Sequence, residues 1–266
     1  MKHRDDNLKT AGSKLAKVLA EQGVRIFTRK DATQIAIENG YSQSFADKIV
    51  LHMSRGGWIE MIRPGLYALN SIFLGGHPIH EFEIISHLAK GAVVSHFSAL
   101  HHYGFTDQIP HIQYATVKTG TSFPSSKKGQ PLLIQGNEYH FTQTAEQQFF
   151  GHKKIWIGEA RILITDPERT LLDGLIKPSC CGGFQEVLNA FKNNINDVNM
   201  ETLTSYALRL DKSISKRLGW ILDELETDEV KLKPLLEVSF KGYAPLDASG
   251  EKTGPYNKKW QIQENL

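Results

Sequence analysis

Cysteine is almost missing from this 266-residue chain: Cys180 and Cys181 are the whole complement, and they are adjacent. Neighbouring cysteines rarely bridge one another because the geometry is strained. A disulfide framework is therefore excluded, and a reducing, cytoplasmic setting is the expectation. Long apolar runs are missing as well. The best, Gly91 to Leu100, is interrupted by Ser95, His96 and Ser98, and it falls far short of the roughly 20 apolar residues that a membrane span needs. No membrane partner is expected. The first residues, Met1-Lys2-His3-Arg4-Asp5-Asp6, hold neither an apolar stretch nor a small-residue cleavage pattern, so no secretory signal is visible. The spacings of common catalytic machinery are absent too: G-x-x-x-x-G-K-[S/T], G-x-S-x-G, G-x-G-x-x-G, and H-x-E with a later C-x-x-C. No cofactor is implied, and the chain does not read as an enzyme.

What is present is ordinary globular material, 40% hydrophobic and 23% charged, enough for real cores and, at this length, for two domains. The charge is unevenly distributed. Residues 1–70 hold 11 Lys and Arg against 7 Asp and Glu, net +4, while the remainder holds 20 against 22, net −2. A mildly basic head on a mildly acidic body fits a nucleic-acid module joined to something else.

The head has a legible order. Ser13 is placed to cap a helix with Leu15, Val18 and Leu19 at helical spacing, stopped by Gly23. A short strand, Arg25 to Thr28, leads to a second helix started by Thr28 or Asp31 and ended by Asn39-Gly40. Ser42 or Ser44 caps a third helix with Phe45, Ile49, Val50 and Met53 on one side, and Trp58 to Leu69 forms a hairpin around Arg63-Pro64-Gly65. That order predicts a winged helix-turn-helix over residues 1–70.

Residues 71–266 read as a mixed α+β domain. Gly75 to Pro78 suits a linker, Pro78–Ala89 and Ser95–Tyr103 suit helices, and alternating stretches between Ile112 and Ile164 suggest antiparallel strands. The Ser/Lys/Gly-rich Thr121 to Gly129 suits an exposed loop. A helical run follows from Thr165 to about Leu236, then a turn-rich tail ending in Trp260.

In a winged helix-turn-helix, the second helix of the pair enters the major groove and its outward N-terminal side chains reach base edges. Here that outward set is Ser42, Gln43, Ser44, Lys48 and His52, with Asp47 as an unfavourable carboxylate among them. Gln43 suits an adenine edge, and the serine hydroxyls suit bases or phosphates. Lys30, early in the preceding helix, and Arg63, at the tip of the wing, suit phosphate or minor-groove contact.

Three other features invite chemistry without requiring it. Seven of the eleven histidines lie between His77 and His111, but none has the i, i+4 spacing of H-E-x-x-H, so no metal site is expected. Thr165 and Glu168 have capping-box spacing, and Asp166, Arg169 and Asp173 share a helix face. An arginine between two carboxylates reads as a structural latch rather than an acid–base pair. Cys180-Cys181-Gly182-Gly183 reads as a solvent loop.

Three stretches, taken in order, carry a family resemblance: R-G-G-W-I-E-M-I-R-P-G-L-Y-A-L at 55–69; V-V-S-H-F-S-A-L-H-H-Y-G-F-T-D-Q at 93–108 with I-T-D-P-E-R-T-L-L-D at 164–173; and L-D-A-S-G-E-K-T-G-P-Y-N-K-K-W-Q-I at 246–262. The chain resembles the AbiEi antitoxins of bacterial abortive-infection (type IV) toxin–antitoxin pairs. The resemblance implies a head that binds inverted repeats of double-stranded DNA in its own promoter and represses its operon. It also implies a C-terminal region that neutralises a cognate nucleotidyltransferase-like toxin. By position, the recognition helix falls on Ser42–Arg55 and the wing on Trp58–Leu69, and the tail carries Lys252, Lys258 and Lys259 where the family has more arginine. The alternative is a stand-alone regulator of transcription whose second domain senses a small ligand, with the histidine-dotted stretch 79–117 lining a pocket.

Overall fold

The computed structural model describes residues 2–124 and 130–266, so residues 125–129 of the expected loop lie outside the described residues. The fold is mixed α+β, with ten α-helices and three sheets among the described residues. None of those helices is long and apolar enough to cross a membrane. The chain divides into two compact units: residues 1–87 with 133–136 and 157–160, and the remainder.

In the first unit, α1 (Lys2–Glu21), β1 (Ile26–Thr28), α2 (Arg29–Glu38), α3 (Gln43–Arg55), β2 (Ile59–Arg63) and β3 (Leu66–Leu69) follow in order. The strands form a small antiparallel sheet in the order β1-β3-β2. Thr28 caps α2 through a reciprocal capping box with Asp31, satisfying two orphan donors at once. Leu15 and Leu19 of α1, Ala32 and Ala36 of α2, and Ala46, Ile49, Val50 and Met53 of α3 form one apolar core with Phe27. Against expectation, Ser13 lies inside α1 rather than at its start. The reason is tertiary: Ala11 is buried, and Gly12 lies so close to Trp58 that an added Cβ would sit 2.4 Å from the ring. This packing carries the helix back past its local cap signal.

This unit runs past the expected boundary at residue 70. The cause is Arg25, a buried cation held by Glu83 of α4 (Glu81–Leu88) at 2.8 Å and by the Pro78 carbonyl at 3.1 Å. A buried charge must stay with its partner, so α4 belongs with the head.

The second unit is built on a six-stranded sheet in the order β6-β7-β5-β4-β9-β8. Its strands are β4 (Val93–Val94), β5 (Ile112–Lys118), β6 (Leu132–Ile134), β7 (Asn137–Thr144), β8 (His152–Ile157) and β9 (Ala160–Thr165). The sheet is mixed rather than antiparallel throughout: β5 pairs with β7 in parallel and β4 with β9 in parallel. Period-two alternation reports a half-buried strand but not the direction of its neighbour.

Helices α5 (His96–His102), α6 (Pro167–Ile176), α7 (Phe184–Asn194), α8 (Met200–Arg209), α9 (Lys212–Glu224) and α10 (Glu229–Leu236) supply most of the core. Two buried cations on α9 tie ends together. Lys216 donates to the carbonyls of Leu235 and Leu236 at the end of α10, and Arg217 donates to those of Leu175 and Pro245. These groups offset the negative helix ends. The tail forms a three-stranded patch from β10 (Ala244–Pro245), β11 (Tyr256–Asn257) and β12 (Ile262–Gln263) around the fully buried Trp260.

Candidate nucleic-acid interface

At about 100° per residue, the α3 positions Gln43, Ser44, Asp47, Lys48, Leu51, Ser54 and Arg55 fall within an arc of about 140°. The opposite arc holds Ala46, Ile49, Val50 and Met53, all buried. Gln43, Ser44, Lys48, Leu51, Ser54 and Arg55 are exposed, and Asp47 is half-buried. Ser42 holds the N-cap position in extended backbone but makes no side-chain cap bond, which leaves the first N–H groups of α3 available to an acceptor. His52 lies about 40° beyond the edge of the polar arc and is half-buried.

Lys30, at the second position of α2, and Arg63, beside the Pro64-Gly65 turn, are both exposed. Among the described residues, the side chains of Lys30, Ser42, Gln43, Ser44, Lys48, His52 and Arg63 are committed to no hydrogen bond or ion pair.

Asp47 is engaged with α2: Thr33 donates to its carboxylate at 3.5 Å, and Arg29 donates to its backbone carbonyl at 3.5 Å. The carboxylate thus helps join α2 to α3. Arg29 is a cation the sequence reading passed over in favour of Lys30. Being next to the Thr28 cap, it is the first residue of α2 and points across to α3; the cap was the signal that located it. A cleft of about 790 Å³ separates α3, through Gln43, Lys48 and Leu51, from the hairpin residues Met61 and Tyr67, with Arg29 also on its wall. The Met61 carbonyl accepts a hydrogen bond from Gln135.

Of the other residues singled out in the sequence, Thr165, Arg169, Asp173, His96 and the two cysteines are buried, whereas His77, His87, His101, His102, His111 and the tail lysines are exposed. Asp166, not Thr165, caps α6, accepting from the Arg169 N–H at 2.8 Å and from the Tyr206 hydroxyl at 3.0 Å. Thr165 ends β9 and bonds the Thr170 hydroxyl at 2.8 Å. Proline at the first helical position fixes the start one residue later than the capping-box spacing suggested. Arg169 and Asp173 form a buried pair at 2.8 Å, Arg169 also donates to the Gln148 carbonyl at 2.7 Å, and Asp173 Oδ2 is buried without a partner.

His96 is buried in left-handed backbone, φ +54°. Its Nδ1 lies 2.8 Å from the Ser95 hydroxyl, which also bonds Thr116 at 2.8 Å. Burial holds its imidazole pKa below the ordinary value. Cys180 and Cys181 are buried rather than in a solvent loop, because Pro178–Cys180 closes a short helical turn that packs them inward. Burial pushes the Cys181 thiol well above its usual range, so no thiolate is ready for chemistry. Of the tail lysines, Lys259 pairs with Asp223 at 2.6 Å. Among the described residues, no three His, Cys, Asp or Glu side chains cluster as a metal site. A cavity of about 870 Å³ opens on α8 and α10, lined by Met200, Thr204, Leu208, Arg209, Lys231 and Pro234, away from residues 79–117.

No protein-family profile matches the sequence, and no curated protein matches it. Among solved structures, the crystal structure of the RV2827C protein from Mycobacterium tuberculosis is similar over 95% of this chain and 90% of its own, with a TM-score of 0.65 and 14% identity. At that identity the likeness concerns the mixed α+β fold alone.

Proposed function

We propose that the protein is a DNA-binding autorepressor and antitoxin of the AbiEi kind. In this reading the first unit is a winged helix-turn-helix, α3 enters the major groove, and the β2–β3 hairpin is the wing. The observation that carries it is the polar arc of α3: within this unit its apolar side is buried, while Gln43, Ser44 and Lys48 stand exposed and uncommitted. A solvated helix face explains exposure equally well, but not its combination with an uncapped N-terminus and cations from two further elements, Lys30 and Arg63. The second unit is assigned to neutralising a nucleotidyltransferase-like toxin, on the strength of the resemblance at 93–108, 164–173 and 246–262.

The test is binding of the full chain to its own upstream DNA. The protein should retard that DNA at about 50–100 mM salt and lose affinity steeply as salt rises. Absence of any shift there overturns the repressor assignment. For the second half, co-expression with the neighbouring reading frame should relieve toxicity, and should still do so in a Lys48→Ala, Arg63→Ala variant that no longer binds DNA. A regulator sensing a small ligand is favoured instead by the α8–α10 cavity, whose 870 Å³ lies within the about 300–1,000 Å³ of ligand pockets. An orphan chain with no toxin gene beside it supports that second reading.

A further inference from the structure

Leu51 occupies the centre of the α3 polar arc, about 80° round from Gln43 and 60° from Lys48. Half of its surface, 50%, is exposed. Its helical neighbours at i−4, i−3, i+3 and i+4 are Asp47, Lys48, Ser54 and Arg55, so no apolar partner on its own helix covers it. Across the cleft stands Met61, itself 53% exposed. A lone exposed leucine needs no explanation. One at the middle of the face that would meet a base-pair edge does, because the major groove offers a single apolar feature, the C5-methyl of thymine.

We infer that Leu51 is a specificity residue that packs against a thymine methyl, so each operator half-site carries a T at the point where the middle of α3 meets the groove floor. This rests on the DNA-binding reading above. The spacing adds a constraint. Gln43 and Leu51 are eight residues apart, about 12 Å along the helix, or three to four base-pair steps at about 3.4 Å. With the helix running along the groove, an adenine bonded by Gln43 and the thymine under Leu51 are separated by that many steps. Two A·T pairs at this interval, rather than a continuous A·T run, are the expected footprint.

The experiment strips the C5-methyls from the thymines and changes no other base atom. The upstream DNA is amplified once with thymidine triphosphate and once with deoxyuridine triphosphate, and the full chain is titrated against both at about 50–100 mM salt. Wild-type protein should bind the uracil duplex about fourfold more weakly for each methyl contacted. Leu51→Ala should bind both duplexes alike, near the wild-type affinity for uracil DNA, with its salt dependence unchanged. Because uracil also alters groove shape, the wild-type/variant and thymine/uracil pairs are read as a double cycle, and the coupling is the measure. A thymine–uracil difference that survives in Leu51→Ala, or is missing from wild type while DNA binding persists, overturns this inference and leaves the DNA-binding reading intact. Failure to bind either duplex overturns both.

Discussion

Helices α3 and α6 look alike on paper. Each opens behind a cap residue and carries ionisable side chains at helical spacing. In the structure they are opposites. The polar arc of α3 is exposed, and its Gln43 and Lys48 hold on to nothing. Two of the charges of α6 are buried and bound to one another, Arg169 to Asp173, and Arg169 also donates to the Gln148 carbonyl. Charge spacing along a helix says which residues share a face but not whether that face meets water or protein. The apolar pattern settles it: α3 has one buried side, whereas α6 buries every residue from Arg169 to Leu175. A helix that is covered all round can keep charges only in pairs.

Removing one member of the buried pair should separate the two helices most. Arg169→Ala strands the Asp173 carboxylate and discards the guanidinium stacked 4.9 Å from the Phe150 ring. It should cost about 3–5 kcal/mol, read as a fall in the urea midpoint. Replacing the pair together, Arg169→Met with Asp173→Leu, should recover most of that, since the penalty lies in the unpaired charge. Lys48→Ala, equally cationic in sequence, should move stability by less than about 0.5 kcal/mol. Equal losses from Arg169→Ala and Lys48→Ala would erase the distinction.

Gly219→Ala probes the same tightness of the second unit without any charge. In an exposed helix the exchange stabilises, because glycine costs about 1 kcal/mol relative to alanine. Here an added Cβ would lie 2.0 Å from the Trp260 ring, and overpacking of about 1–3 kcal/mol should win. A raised melting temperature for Gly219→Ala would show that the tail carrying Trp260 does not clasp α9.

Much of this was legible beforehand. The element order of the head, the Thr28 cap, the third helix and the hairpin fall where periodicity and turn residues put them, because each is fixed within a dozen residues. What sequence concealed was non-local. Nothing near Ser13 announces that Trp58, 45 positions on, draws α1 across it. Nothing near Arg25 announces Glu83, so the boundary fell short. Strand alternation was read correctly and the parallel pairing of β5 with β7 was not. Of the stretches that carry the family resemblance in the second unit, 164–173 is largely interior, 93–108 buries Ser95 and His96 but exposes His101 and His102, and 246–262 is mostly exposed around the buried Trp260. Their buried members hold the fold together, whereas the residues proposed for recognition lie in the head.

The exposed face of α3 should answer to salt. Lys48→Ala and Arg63→Ala should each weaken binding of the upstream DNA to a similar extent whatever its sequence, and each should flatten the log–log salt slope by about 0.9. Gln43→Ala should leave that slope alone while narrowing the gap between cognate and random DNA, because a base-edge contact specifies rather than neutralises. A Gln43→Ala protein that loses all sequences equally would move Gln43 to the phosphate side of the interface.

The smallest effect concerns pH, and again it belongs to the buried side. His96 is interior, and burial lowers its pKa below the unfolded value near 6.5. The folded state therefore binds fewer protons than the unfolded one as pH falls through that value. The stability conferred by its neutral form is complete above about 6.5 and is lost on acidification toward the lowered native pKa. His140 and His152 are shifted the same way, burial again the leading cause, so the whole chain should melt some degrees lower at pH 5.5 than at pH 7.5. His96→Asn is the informative exchange. Asparagine tolerates the left-handed backbone at this position, so the change withdraws a titrating group without adding strain. Its melting temperature should depend less steeply on pH, with the residual slope belonging to His140 and His152. An unchanged slope would mean that His96 binds protons alike in the folded and unfolded chains, and that its burial does not favour the neutral ring.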